Sequence, residues 1–195
     1  LDPSQVWIGL LPGSRKKEVL MNLPALLEAA GRLKDRFQFL LPVASTLDRD
    51  WMENLIPAGS TRIRLVGQAS SALPHLRAAA VASGTATVEA ALAGTPMVVV
   101  YRVSPLTWRL GRGLLRVPFI AMPNLIAGRE LVPELVQADF TADAVATRIE
   151  QIAADGPARE KMLAGLAEVA SRLRAADTSG SASERAADAV LRTLS

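Results

Sequence analysis

The stretch "VASGTATVEAALAGTPMVVV", residues 81–100, decides the fold class of this chain. It runs from the end of one apolar segment through a Ser-Gly-Thr turn and a short helical segment into a second apolar segment. The second segment, "MVVVY", is continuously apolar, which is typical of a parallel strand that is buried on both faces. The stretch therefore predicts one strand–helix–strand unit of a parallel sheet.

The same alternation of apolar runs and helix-spaced segments extends over the first two thirds of the chain. Strands are expected at residues 6–11, 37–44, 63–66, 79–83, 97–101 and 119–122. Helices are expected between them at residues 18–34, 47–55, 72–77, 87–93 and 106–116. After Pro133 only helices are expected, at residues 141–152, 157–173 and 182–194.

This pattern predicts a Rossmann-like α/β fold with an open, mostly parallel sheet, helices on both of its faces and a helical C-terminal tail. Residues 1–178 are expected to form the domain. Residues 179–195 carry a last helix after the flexible "DTSGSAS" connector, and we expect that helix to pack on a missing domain or on a partner chain.

Length and composition exclude several classes of protein. The 195 residues are 50% hydrophobic, yet no apolar run approaches the roughly 18–20 residues that a membrane span needs, so a soluble, cytoplasmic domain is expected. The chain has no cysteine, which excludes disulfides and thiolate metal sites. It begins at Leu1 rather than methionine, which is expected of a piece of a longer protein.

The positive charge is unevenly distributed. From Ala90 through Arg129 there is no acidic residue, and five arginines fall in this window, at positions 102, 109, 112, 116 and 129. Such a region serves either as a solvated basic face or as an anion or membrane contact. A nucleic-acid partner is not expected, because the chain has one Tyr and four Phe and lacks interleaved aromatic and basic residues.

In an open α/β sheet, ligands bind beyond the carboxyl ends of the strands, so the strand-to-helix turns are the places to search. In "LLPGSRKKEV", residues 10–19, Gly13 permits positive φ, successive N–H groups can bind an anion, and Arg15 can contact phosphate in a bidentate way. The stretch is neither a P-loop nor a dinucleotide fingerprint. A plain turn before a helix is the alternative.

A second turn, Ser83-Gly84-Thr85, ends a strand and opens a helix whose first N–H groups are free to meet phosphate. Glu89 lies about one helical turn further on, where a carboxylate can accept hydrogen bonds from a vicinal diol such as ribose. The alternative is an N-cap pair followed by an ordinary exposed glutamate.

A third segment, "PNLIAGRELVPELVQ", residues 123–137, places Asn124, Arg129 and Glu130 around Gly128 in a predicted loop. Such loops cap a helix or present side chains to a ligand. No metal site is expected, because the single histidine, His75, has no paired ligand nearby and is interpreted as structural. Hydrolase chemistry is disfavoured because no G-x-S-x-G elbow is present.

Together, "LLPGSR", "ASGTATVEAALAGTPMVVVYR" and the third segment closely resemble the C-terminal half of the lipid-A-disaccharide synthase family. These proteins are bacterial glycosyltransferases with the two-domain GT-B fold. The blocks occur in the family's order, and the terminal "ERAADAVLRTL" is similar as well. The resemblance covers almost the whole chain.

The resemblance implies transfer of 2,3-diacylglucosamine from its UDP derivative to 2,3-diacylglucosamine 1-phosphate, without a cofactor. The implied donor site has four parts: Gly13, Ser14 and Arg15 at the diphosphate; Ser83, Gly84 and Thr85 as helix N-terminal donors; Glu89 at the ribose; and Asn124, Gly128, Arg129 and Glu130 along the border. The acceptor site and the catalytic base belong to an N-terminal domain that this sequence lacks, so the fragment alone is expected to be inactive.

Because the implied substrates are lipids, the basic segment 105–116 is a candidate for contact with a membrane surface. Its leucines at 106, 110 and 114 and its arginines at 109, 112 and 116 fall on different faces of a helix, which favours peripheral contact with the inner face of the inner membrane. The alternative is that these leucines pack on the sheet. A homodimer is left open, as are a UDP-N-acetylglucosamine 2-epimerase-like enzyme and a non-catalytic partner-binding module.

Overall fold

The computed structural model describes residues 2, 4–60, 62–104 and 118–177. Within these residues, six strands form one parallel sheet in the order β3-β2-β1-β4-β5-β6. The strands are β1 Trp7–Leu11, β2 Gln38–Pro42, β3 Ile63–Val66, β4 Ala78–Ala82, β5 Met97–Tyr101 and β6 Glu134–Val136. The α/β fold class that the sequence predicts is confirmed.

Seven α-helices accompany the sheet in the described ranges. They are α1 Lys16–Leu33, α2 Arg49–Glu53, α3 Ala69–Ala72, α4 Thr85–Leu92, α5 Met122–Ala127, α6 Ala142–Ala153 and α7 Pro157–Asp177. Short 3₁₀ turns occur at Leu73–His75 and Gln137–Asp139. None of these helices is long and apolar enough to cross a membrane. The predicted helices at 106–116 and 182–194 and the domain boundary at 178 lie outside the described residues.

The strand order reverses between β1 and β4, which are neighbours in the sheet. Ile8 of β1 pairs with Phe39 of β2 on one side and with Ala78 of β4 on the other. Because strand–helix–strand connections are right-handed, crossovers that run in opposite directions place their helices on opposite faces. Accordingly α1 packs with α6, whereas α4 packs with α5 and α7.

The centre of the sheet is buried on both faces. All five residues of β1 and all five of β4 are buried, as expected for central parallel strands. On α1, the buried positions Val19, Leu23, Leu26, Ala30 and Leu33 recur at intervals of three or four residues, the spacing of a helix that buries one face. The predicted helix at 141–152 is confirmed as α6, and Thr141 caps it, since the Thr141 hydroxyl accepts from the Ala144 N–H at 3.1 Å.

Two predictions near the end of the sheet are wrong. Residues 119–122 do not form a strand, because α5 begins at Met122 with Pro123 in its first turn, where proline's fixed φ favours a helix. The sixth strand is Glu134–Val136, in a region where only helices are predicted. Three residues are too few for a strand to show a hydrophobic period.

Candidate functional site

Two strand-to-helix turns meet where the strand order reverses. Leu11 of β1 is paired with Val81 of β4, so the turns that follow these strands lie side by side although about 70 residues separate them along the chain. Both turns line one cavity of about 310 Å³. Its lining includes six of the residues predicted from sequence: Gly13, Ser14, Ser83, Gly84, Thr85 and Glu89.

The first turn is closed by a contact with α1. Gly13 has a φ of 121°, which residues with side chains rarely adopt, and a Cβ added there would lie 2.8 Å from the Cβ of Glu18, so both the conformation and the space favour glycine. The Glu18 carboxylate accepts from the Ser14 N–H at 3.1 Å and from the Arg15 guanidinium at 2.8 Å. The Arg15 side chain is 82% exposed and does not line the cavity in this structure.

The second turn opens α4 toward the same cavity. Gly84 is its N-cap residue with a φ of 151°, a value that side-chain-bearing residues rarely adopt. Thr87 is buried and donates from its hydroxyl to the Gly84 carbonyl at 2.7 Å, which holds the first turn of the helix. The N–H groups of Thr85 and Ala86 begin α4 and have no carbonyl of their own helix to bond. They give this edge of the cavity a positive potential.

Glu89 adds an acidic group to the second turn. It lies about one turn into α4, is exposed and lines the cavity. Among the described residues its carboxylate has no hydrogen-bond or ion-pair partner. Glu89 is thus an open acceptor beside a positive helix end, an arrangement that suits a diol next to a phosphate.

Loops at the ends of β2 and β3 complete the cavity. Ser45 and Gln68, and Ser70 at the start of α3, line it, and sequence reasoning missed all three because single polar residues carry no pattern. Thr46 donates to the Ser14 carbonyl at 2.6 Å, which fixes the first turn to the loop after β2. The described residues contain no cluster of three metal-ligating side chains.

Asn124 lies apart from the cavity, in the core of the third segment. Its side chain is fully buried. The amide oxygen accepts from the N–H groups of Leu131 and Val132 at 2.7 and 2.9 Å, and the amide nitrogen donates to Glu134 at 2.8 Å. Asn124 therefore holds the loop before β6 closed.

Glu134 links this loop to the second turn, and sequence reasoning missed it. Its carboxylate accepts from the N–H groups of Ile120 and Ala121 at 2.9 Å each. The Ile120 carbonyl in turn accepts from the Ser83 hydroxyl at 3.2 Å. Asn124 and Glu134 thereby fix the backbone that packs beside Ser83.

The remaining predicted residues of the third segment also lie outside the cavity lining. Arg129 forms an ion pair with Glu168 of α7 at 2.6 Å, and Glu168 forms another with Arg172 at 2.6 Å. The hydrogen bond from Arg129 lowers the pKa of Glu168, and the same carboxylate raises the pKa of Arg129. Gly128 and Glu130 are exposed beside this pair. Their place at the border of a ligand stays a prediction.

A larger groove of about 790 Å³ runs along α1 beside β3. Its lining is dominated by apolar side chains, among them Leu23, Leu27, Leu55 and Ile63, and it contains neither of the two glycine turns. We place the candidate site in the smaller cavity, because binding sites are marked by a few converging polar groups rather than by volume alone.

A family model described as lipid-A-disaccharide synthetase matches residues 1–187. The chain belongs to the lipid-A-disaccharide synthase family. The lipid-A-disaccharide synthase of Koribacter versatilis is 54% identical over 193 residues, which cover 98% of this chain and 50% of that protein. That of Acidobacterium capsulatum is 46% identical over 187 residues, covering 89% and 47%. The chain thus spans about half the length of the curated relatives it matches.

Solved structures support the fold expected for a member of this synthase family. Os79 from O. sativa, solved in complex with UDP, matches with a TM-score of 0.59 at 14% identity over 97% of this chain and 41% of that one. The E. coli ADP-heptose lps heptosyltransferase II matches with a TM-score of 0.53 at 15% identity over 78% and 48%. The fold is that of one Rossmann-like half of GT-B glycosyltransferases. Family membership favours the synthase over the epimerase-like and non-catalytic alternatives.

Proposed function

We propose that this chain is the donor-nucleotide half of a lipid-A-disaccharide synthase, which transfers 2,3-diacylglucosamine from its UDP derivative to 2,3-diacylglucosamine 1-phosphate and releases UDP. One observation carries the proposal. In a member of this family, two phosphate-compatible turns and Glu89 line a single cavity where the strand order reverses, the usual ligand position in such sheets.

The diphosphate would lie between the two turns. On one side it meets the Ser14 N–H and the Arg15 guanidinium, and on the other the N–H groups that open α4 at Thr85. Helix α1 begins two residues after Ser14 and α4 begins at Thr85, and both of these residues line the cavity, so the positive N-terminal ends of both helices would lie near the anion. When the bond from sugar to phosphate breaks, negative charge grows on UDP, and these fixed donors stabilise it.

Glu89 would hold the ribose, since it is an exposed acceptor one helical turn beyond the phosphate-binding N–H groups. In the third segment, Asn124 acts indirectly by holding the backbone beside Ser83. Residues Gly128, Arg129 and Glu130 would border the donor outside the cavity, an assignment that rests on the family resemblance.

The other parts of the reaction are assigned to the half of the relatives that this chain does not span. We place the lipid acceptor and the catalytic base there, so this chain alone would bind donor without turnover. The whole protein would act in the cytoplasm at the inner face of the inner membrane, with residues 105–116 as the peripheral contact. A homodimer is compatible with this scheme.

Calorimetric titration of UDP into the chain tests the proposal, with Arg15→Ala as the diagnostic variant. We expect the parent chain to bind and the variant to bind about tenfold more weakly, since a charge-assisted hydrogen bond contributes about 1.5–3 kcal/mol. Lys17→Ala is the matched control, because Lys17 is an exposed cation two residues further along the same helix start.

Equal isotherms for the parent chain and Arg15→Ala would remove Arg15 from the site. Absence of UDP binding to the parent chain would contradict the proposed function as a whole.

A further inference from the structure

A carboxylate of the chain itself occupies the first phosphate-binding turn. Oε2 of Glu18 accepts from the Ser14 N–H at 3.1 Å, and Oε1 accepts from Arg15 at 2.8 Å. The side chain of Glu18 is 35% exposed and lines the cavity. Gly13 lies against it so closely that an added Cβ would be 2.8 Å from the Cβ of Glu18.

This carboxylate uses the groups that the proposed diphosphate needs. An N–H group makes one good hydrogen bond at a time, so Ser14 cannot serve Glu18 and a phosphate oxygen together. The same ion pair holds the Arg15 guanidinium at the surface, away from the cavity lining. Two anions in one turn would also repel each other.

We propose that Glu18 is an internal anion that occupies the first turn until the donor diphosphate displaces it. The inference rests on the proposed function, because it names how the same cavity admits its ligand. Displacement frees the Ser14 N–H and lets Arg15 turn toward the phosphates. An anion that reaches only the first turn competes poorly with a tethered carboxylate, whereas a diphosphate also gains the N–H groups of α4.

A helix cap is the competing explanation for Glu18. It is the third residue of α1, where glutamate side chains often accept from N–H groups at the helix start. A cap alone would make the variant less stable and leave anion affinity unchanged. Stability and affinity must therefore be measured separately.

Glu18→Gln is the variant that separates these explanations. Glutamine keeps the length of the side chain and an oxygen that can accept from Ser14, but it removes the charge. We expect UDP and inorganic pyrophosphate to bind about fivefold more tightly, the effect of relieving like-charge repulsion of about 1 kcal/mol at short range. The matched control is Glu28→Gln, also on α1, whose carboxylate pairs with Arg32 at 2.6 Å outside the small cavity; it should bind like the parent chain.

Titration calorimetry and thermal unfolding of the three chains decide the outcome. Tighter binding in Glu18→Gln alone supports displacement. If Glu18→Gln has unchanged affinity and lowered stability, Glu18 is only a helix cap. If Glu18→Gln binds more weakly, Glu18 orients Arg15 for the ligand. Either result overturns the proposal. If pyrophosphate binds Glu18→Gln more tightly while UDP binds no variant, the assignment of the cavity to a UDP donor fails, and displacement of Glu18 by a diphosphate stands. If neither anion binds any variant, displacement fails as well.

Discussion

In the proposed site, Glu89 is the residue whose removal most directly distinguishes binding of a nucleotide from binding of a plain anion. Its carboxylate is exposed and lines the cavity, one turn beyond the N–H groups that open α4. Glu89→Ala should weaken UDP binding about a hundredfold or more, because two proposed hydrogen bonds from the ribose diol to a charged acceptor, each of about 1.5–3 kcal/mol, would be lost. Pyrophosphate, which has no diol, should not bind more weakly to this variant.

Competition calorimetry with UDP and pyrophosphate measures that difference. Glu89→Gln is the matched control, since it keeps one acceptor oxygen and should fall between the parent chain and Glu89→Ala. If Glu89→Ala weakens both ligands equally, Glu89 acts on the phosphate turn rather than on the ribose.

Residue spacing predicted which turns some of these side chains belong to, and it could not predict which partners others contact. The sequence placed Gly13 and Ser83 in turns because glycine and small polar residues after apolar runs are turn signals. The partnership of Glu18 with Ser14 and that of Glu134 with Asn124 depend on side-chain direction. A glutamate in a helix or at the start of a short strand has the same place in the sequence pattern whether its side chain faces solvent or a backbone N–H.

At the scale of elements, α5 and β6 form a support for the second turn. Asn124 of α5 and Glu134 of β6 share a hydrogen bond of 2.8 Å, and between them they satisfy the backbone N–H groups of four residues. These four are Ile120, Ala121, Leu131 and Val132. Since Ile120 contacts Ser83, the support positions one edge of the cavity.

Removal of the buried amide should therefore destabilise the protein. Asn124→Ala leaves the N–H groups of Leu131 and Val132 without their acceptor and removes one of the donors to Glu134, which costs about 2 kcal/mol or more. Chemical denaturation measures the change. Arg129→Ala is the comparison variant on the same segment, and it should change stability little because the ion pair of Arg129 with Glu168 is solvent-exposed. Similar stabilities for the two variants would show that Asn124 is not a structural support.

Helices and central strands were predictable because their patterns are long. The helix α1 covers most of the predicted helix 18–34, and the strand β5 coincides with "MVVVY" at Met97–Tyr101. The predicted strand 119–122 fails because apolar side chains beside Pro123 suit the start of a helix equally well. Within the part of the chain that the structure describes, β6 pairs with Val99, Val100 and Tyr101 of β5, a tertiary contact that leaves no local period in the sequence.

In the whole molecule, the strand order brings together the turns of the candidate site. Continuous apolar runs predict a parallel sheet, but they do not say which strands are neighbours. The pairing of β1 with β4 brings together two turns that were each ambiguous when considered alone. The family match over residues 1–187 then gives that shared cavity its chemical interpretation.

Amide chemical-shift mapping of the isotopically labelled chain during a UDP titration shows directly where the nucleotide binds. We expect the largest shifts at Ser14, Thr85, Ala86 and Glu89, around the 310 Å³ cavity. Largest shifts along the apolar groove of α1 and β3, at residues such as Leu27 and Ile63, or no shifts at all, would contradict this expectation.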